Sequence, residues 1–165
     1  MKIRYTVLLA IVTFIFSSTI FPSFRINDAL PNLCIILSIV FLVLFSESHA
    51  YTFVIVYGGL QDVFLSRVMG IHLIAYLIVV YFLSKWIDVL FKGNFLTPAF
   101  LMLVSTWLYH LVYYLIAFFM QIALPLNILL ERVLTESIMN VVLGILLYAI
   151  VFKKVNGYKL GDYNA

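Results

Sequence analysis

Four charged residues stand where a membrane would make charge expensive. Asp62, Arg67, Arg132 and Glu136 each lie within or beside a long apolar run, and His49, His72 and His110 are scattered through the same runs. Carboxylates and histidines in such places can relay protons or hold a metal, and an arginine can hold an anion. Spacing decides which of these chemistries is open. The chain has no HExxH, no GxxxxGK[ST] phosphate loop, no GxSxG and no spaced carboxylate series of the kind a metal-dependent membrane transferase needs. His49 falls at one membrane surface, His72 at the other and His110 midway along an apolar run, so the three are not expected to meet. His110, between Tyr109 and the pair Tyr113 and Tyr114, reads as a packed, hydrogen-bonded side chain in preference to a proton relay. Cys34 has no second cysteine to pair with and reads as packing. The expectation is therefore no catalytic residue, no metal, no cofactor and no enzyme.

The elements that must position these residues follow from composition. Hydrophobic residues make up 65% of the 165 and charged residues 10%, against roughly half and a quarter in a soluble domain. A soluble domain of this size hides only about two-thirds of its surface, too little for so much apolar side chain. The chain reads as one integral membrane domain over 1–165, all-α, with six transmembrane helices at 5–21, 30–45, 50–65, 71–90, 98–120 and 133–152. A crossing helix needs about 20 residues. The second and third runs fall short of that, and a re-entrant hairpin broken at Ser46, Glu47, Ser48 and His49 is the other arrangement they allow. Met1 to Arg4 followed by an apolar run also resembles a signal peptide. Residues 17–23 lack a small-x-small cleavage pattern, so the run is taken as a retained first span. Residues 153–165 form a polar tail expected to fray.

Basic residues orient the helices. With the N-terminus inside, Lys2, Arg4, Lys85, Lys92, Lys153, Lys154 and Lys159 are cytoplasmic and Arg25, Arg67 and Arg132 are outside, seven against three of the ten. The positive-inside rule then puts both termini in the cytoplasm. The net charge of +3 is a topology signal, and no basic cluster interleaved with aromatics points to nucleic acid.

Within this frame the polar residues form faces. Gly58, Gly59 and Asp62 share one side of the third span, and Ser66 extends it by a turn. Small residues at this spacing admit a neighbouring helix, and a carboxylate beside them can cap or pair. Arg132, Glu136, Asn140, Gly144 and Tyr148 recur every four residues in the sixth span, a polar and small stripe. Because Asp62, Arg67, Arg132 and Glu136 lie at similar depth, ion pairs are expected between Asp62 and Arg132 or between Arg67 and Glu136. These pairs would join the third and sixth helices in a polar seam, a packing device or a place for a partner helix or small ligand.

One resemblance spans nearly the whole chain. Pro31, Asn32 and Leu33 opening the second span, Gly58 with Asp62 four residues on, Gly70 eight residues after that, then Ala75 and Tyr76, together with Asn140 and the basic pair Lys153 and Lys154, resemble the MreD family of rod shape-determining membrane proteins. The resemblance implies a non-catalytic scaffold in the bacterial inner membrane, serving the machinery that builds lateral peptidoglycan. It implies binding to an MreC-like single-span protein and, indirectly, to an MreB-like actin, a RodA-type polymerase and a class B penicillin-binding protein. It also implies a fold similar to the S component of energy-coupling-factor transporters, which supplies a rival reading, the substrate-binding subunit of a vitamin transporter. S components dock through closely spaced alanines in their first helix; here the first span holds only Ala10, which favours the scaffold.

Overall fold

The computed structural model of the protein describes residues 2–26, 29–87, 96–122 and 125–161, with side chains for all of these except Phe24 and 156–161. Among them are six α-helices: α1 (Ile3–Thr19), α2 (Leu33–Leu44), α3 (Glu47–Phe64), α4 (Ile71–Trp86), α5 (Leu96–Phe119) and α6 (Leu126–Gly161). A 3-10 turn at Phe21–Phe24 follows α1, and an isolated bridge joins Ile26 to Ala29. The stretches Ile3–Ser23, Leu96–Phe119 and Leu126–Val155 are long and apolar enough to cross a membrane, while α2 and α4 are shorter apolar helices.

α2 is the axis of the bundle. Nine of its 12 residues are buried, and it packs against α3, α4, α5 and α6. Uniformly aliphatic positions such as Ile35, Ile36, Ile39 and Val40 suit a helix surrounded on all sides. At 1.5 Å per residue it rises only about 18 Å, less than the ~30 Å of a hydrocarbon core. The chain reaches it through residues 29–32 without helix, and Asn32 caps it by accepting from the Ile35 amide at 3.3 Å. α1 is the opposite case. It packs chiefly on α3, buries Thr6, Ala10, Thr13 and Phe14, and presents Leu8, Val12 and Ile15 outward.

Side-chain contacts fix the helix directions. Thr6 Oγ1 lies 3.4 Å from His49 Nδ1 near the starts of α1 and α3, and Ser17 Oγ lies 2.7 Å from Tyr57 OH further along both. α1 and α3 are thus parallel and packed directly on each other, and α2, which separates them in the chain, runs the opposite way. The beginning of α4 meets the later half of α5, and the later half of α5 meets the beginning of α6. Directions alternate along the chain, and the start of α1 and the end of α6 lie at the end of the bundle opposite those contacts.

Several boundaries differ from the sequence reading. α3 begins earlier, at Glu47, and ends at Phe64, so Ser66 is not on its face. Ser66 instead closes a local turn, its Oγ donating to the Val68 carbonyl at 2.6 Å and accepting from the Val68 amide at 3.2 Å. α6 begins seven residues before 133 and continues to Gly161. The tail expected to fray is helical that far, the helix running through Gly157 with no proline to stop it. Leu90 and Lys92 lie outside the described residues.

Candidate functional site

The turn between α3 and α4 shows why glycines and a carboxylate interrupt an apolar run. The cap position of α4 is Gly70, at φ 93°, a left-handed conformation that glycine adopts without strain. Glycine has no side chain to satisfy the first amides of α4, and Asp62 does this from α3. Its Oδ1 accepts from His72 N at 3.1 Å and its Oδ2 from Leu73 N at 2.9 Å. A carboxylate is well placed there, because a helix N-terminus carries partial positive charge. The reach depends on Gly58, one turn earlier on the same face. A Cβ there would lie 3.1 Å from Leu73 Cα and 3.2 Å from Tyr76 Cδ2. Gly59 has open space beside it and plays no part in this approach. Gly58, Asp62 and Gly70 thus clamp α3 to α4.

A second polar network crosses the middle of the same half. Asn140, fully buried on α6, accepts from Asn32 N at 2.7 Å and donates to Thr106 Oγ1 at 2.9 Å, while Thr106 donates to the Met102 carbonyl at 2.7 Å. The Tyr76 hydroxyl sits 3.2 Å from Asn32 Oδ1 and 3.0 Å from Gln61 Oε1, one proton between two acceptors. Asn32 and Asn140 therefore tie together α2, α3, α4, α5 and α6. Pro31, buried just before this knot, has no amide proton that would need a partner. Further along α6, a Cβ on Gly144 would meet Met102 Sδ, so Gly144 gives α5 its close approach.

Between these groups lies a cavity of about 250 Å³. Asn32, Tyr57, Gln61 and Tyr76 line one side, and His72, Tyr109, His110, Tyr113, Arg132 and Glu136 the other. The aromatic wall is stacked: His72 on Tyr113 at 5.0 Å and Tyr76 on Tyr109 at 4.7 Å between ring centroids. His72 Nδ1 is 2.6 Å from Tyr109 OH, and His110 Nε2 is 2.9 Å from Glu136 Oε2.

The expected partners of the charged residues change accordingly. Asp62 is used by α4 and Glu136 by His110, so neither forms the ion pair read from depth. Arg67 is exposed on the turn. α3 and α6 do not share a packing surface of any size, because α2 packs between them against both; the polar face of α6 meets α2 and α5 instead. His72 and His110, expected to stay apart, line one cavity, whereas His49 is remote from it beside Thr6. Among the described residues no three His, Cys, Asp or Glu side chains converge as a metal set. Thr106, Tyr109 and the Ser17–Tyr57 contact were not singled out from the sequence, and nothing in their spacing marks them.

No curated protein and no solved structure matches the chain in comparison. A family model, described as rod shape-determining protein MreD, matches residues 1–156. That match takes in the clamp, the Asn32–Asn140 knot and the cavity, and with it the chain belongs to the MreD family of rod shape-determining membrane proteins.

Proposed function

We propose that the protein is a non-catalytic scaffold of the cell-elongation machinery, acting in lateral peptidoglycan synthesis by binding an MreC-like single-span protein. The family match over residues 1–156 carries this reading. In it all six helices cross the bacterial inner membrane, α2 completed by residues 29–32, and both termini are cytoplasmic. The excess of basic residues at that end supports the orientation. An MreB-like actin, a RodA-type polymerase and a class B penicillin-binding protein are reached indirectly, through the assembly.

The bundle offers a surface for such a partner. Leu126, Leu130, Leu134, Ile138, Val142, Leu146 and Ile150 recur every fourth residue along α6 and are all exposed, on the side opposite Glu136 and Asn140. A single apolar helix can lie along this ridge as lipid does, gaining close packing. The test is co-purification in detergent with an MreC-like protein, using full-length chain and a form lacking 156–165. Retention by both forms, together with rounding of cells on depletion, is the expected result. Loss of the complex on deletion would move the interface to the cytoplasmic end. Normal shape after depletion would sink the scaffold reading, and strong signal from a periplasm-dependent reporter fused to Ala165 would reverse the topology.

A further inference from the structure

Arg132 and Glu136 are notable for what they lack. Glu136 is 6% exposed and its Oε2 accepts from His110 Nε2, yet its Oε1 is buried with no partner. Arg132 Nε is buried and equally bare, and its guanidinium makes no hydrogen bond or ion pair among the described residues. Buried polar groups are normally satisfied, and each exception calls for a reason. Here both exceptions line the same cavity, one turn apart on α6, where side chains four apart begin about 5–6 Å from each other. Elsewhere on the wall Tyr76, His72 and Tyr109 have their partners within the bundle.

What is missing has a defined chemistry. Oε1 needs an N–H or O–H donor, and the guanidinium needs an acceptor that does not also have to satisfy Glu136. One positive and one negative side chain call for an occupant bearing both signs. A cavity of about 250 Å³ is slightly under the ~300 Å³ at which ordinary ligand pockets begin, so the occupant is small. We propose that the cavity binds a small zwitterion, its primary ammonium on Glu136 Oε1 and its carboxylate or phosphate on Arg132. A quaternary ammonium, having no N–H, is disfavoured. Two sources supply this chemistry, a soluble amino acid or phosphoamine and the headgroup of phosphatidylethanolamine. The inference does not depend on the scaffold reading.

The test uses the full-length protein. Calorimetric titration and thermal unfolding are run in detergent with L-serine, O-phosphoethanolamine and O-phosphocholine. Lipid retention is then compared in nanodiscs of phosphatidylethanolamine and phosphatidylcholine. We expect saturable binding of a primary-amine zwitterion with a raised Tm, at least tenfold weaker binding of the choline analogue, and at least tenfold loss in both E136Q and R132Q. A response to the soluble probes assigns a soluble ligand; selective retention of phosphatidylethanolamine without such a response assigns the lipid. Arg132 has no internal partner, so R132Q removes no contact within the bundle and serves even where E136Q fails to fold. The proposal is overturned if neither soluble nor lipid primary amines are distinguished from their choline counterparts, or if binding survives unchanged in R132Q.

Discussion

The α3–α4 clamp and the first turns of α6 both carry a carboxylate into the same half of the bundle, and the fold handles the two in opposite ways. Asp62 has both oxygens on backbone amides of α4, at 3.1 and 2.9 Å, and the glycine that makes this possible is one turn away. Glu136 has one oxygen on His110 and the other bare, with bare Arg132 beside it. A group whose hydrogen bonds are all met inside the fold holds elements together. A buried group left open costs the fold stability and keeps its bonding capacity for something else. The clamp is thus structural, and the start of α6 is where binding chemistry is concentrated. Stability measurements test the contrast, because variants in the two regions should differ in size and even in sign.

The largest effect belongs to Asp62→Ala. It strips the acceptor from two amides of α4 and removes a negative charge from a helix N-terminus, a loss of about 2–3 kcal/mol. Asp62→Asn keeps one acceptor and should lose about half as much. Reversible unfolding in mixed micelles reads both. If the two variants were equally harmless, the carboxylate would not be the cap of α4, and the clamp would lose its central member.

Asn140→Ala comes next, at about 1–2 kcal/mol, the upper range for interhelical polar contacts in membranes. It leaves Asn32 N without its 2.7 Å acceptor and Thr106 without its donor. Asn140→Asp should be no better, since a second oxygen facing Thr106 offers no proton while the Thr106 hydroxyl is already committed to Met102. Recovery of wild-type stability by the Asp variant would show that Asn140 acts through its carbonyl side alone.

These two residues also mark how far a sequence carries. Gly58 and Asp62 were legible together because helical periodicity places i and i+4 on one face, Gly70 entered only through the family resemblance, and Asp62 as a cap was among the readings allowed. Its true partner was not, since backbone amides are available on every helix and leave no mark in the sequence. The α6 stripe was legible as an inward face for the same reason. Its neighbour was read wrongly: depth along a helix follows from residue count, but which helix lies across from it depends on the order of packing around α2. The Asn32–Asn140 bond, 108 residues apart in sequence, belongs to that order. His110 was placed midway along its span, yet α5 starts at Leu96, which puts residue 110 in the later half, level with the start of α4 and with His72. Both histidines reach one cavity because consecutive antiparallel helices bring their ends together.

The paired glycines separate close approach from mere flexibility. Gly58→Ala must push Leu73 Cα outward from 3.1 Å, and backbone does not yield as a side-chain tip does. A loss of about 1 kcal/mol is expected, in the range of overpacking, and it should lengthen the Asp62 bonds enough that Asp62→Asn costs less in that background. Gly59→Ala meets open space, and alanine's helix preference should make it neutral or stabilising by up to about 1 kcal/mol. Equal losses at both positions would mean that α3 needs flexibility there, and the clamp would have to be redrawn.

The smallest effect, and the one that bears most on the contrast, is at Arg132. Its guanidinium makes no hydrogen bond or ion pair among the described residues, so Arg132→Gln takes nothing away from the bundle. An uncompensated charge near hydrocarbon is itself unfavourable. Stability should therefore stay within about 0.5 kcal/mol of the parent or rise by up to about 1 kcal/mol, as when natural proteins trade stability for a binding group. Unfolding midpoints under the conditions used for Asp62→Ala make the comparison direct. A fall as large as that of Asp62→Asn would mean that Arg132 has a structural partner, and the two regions would then be alike.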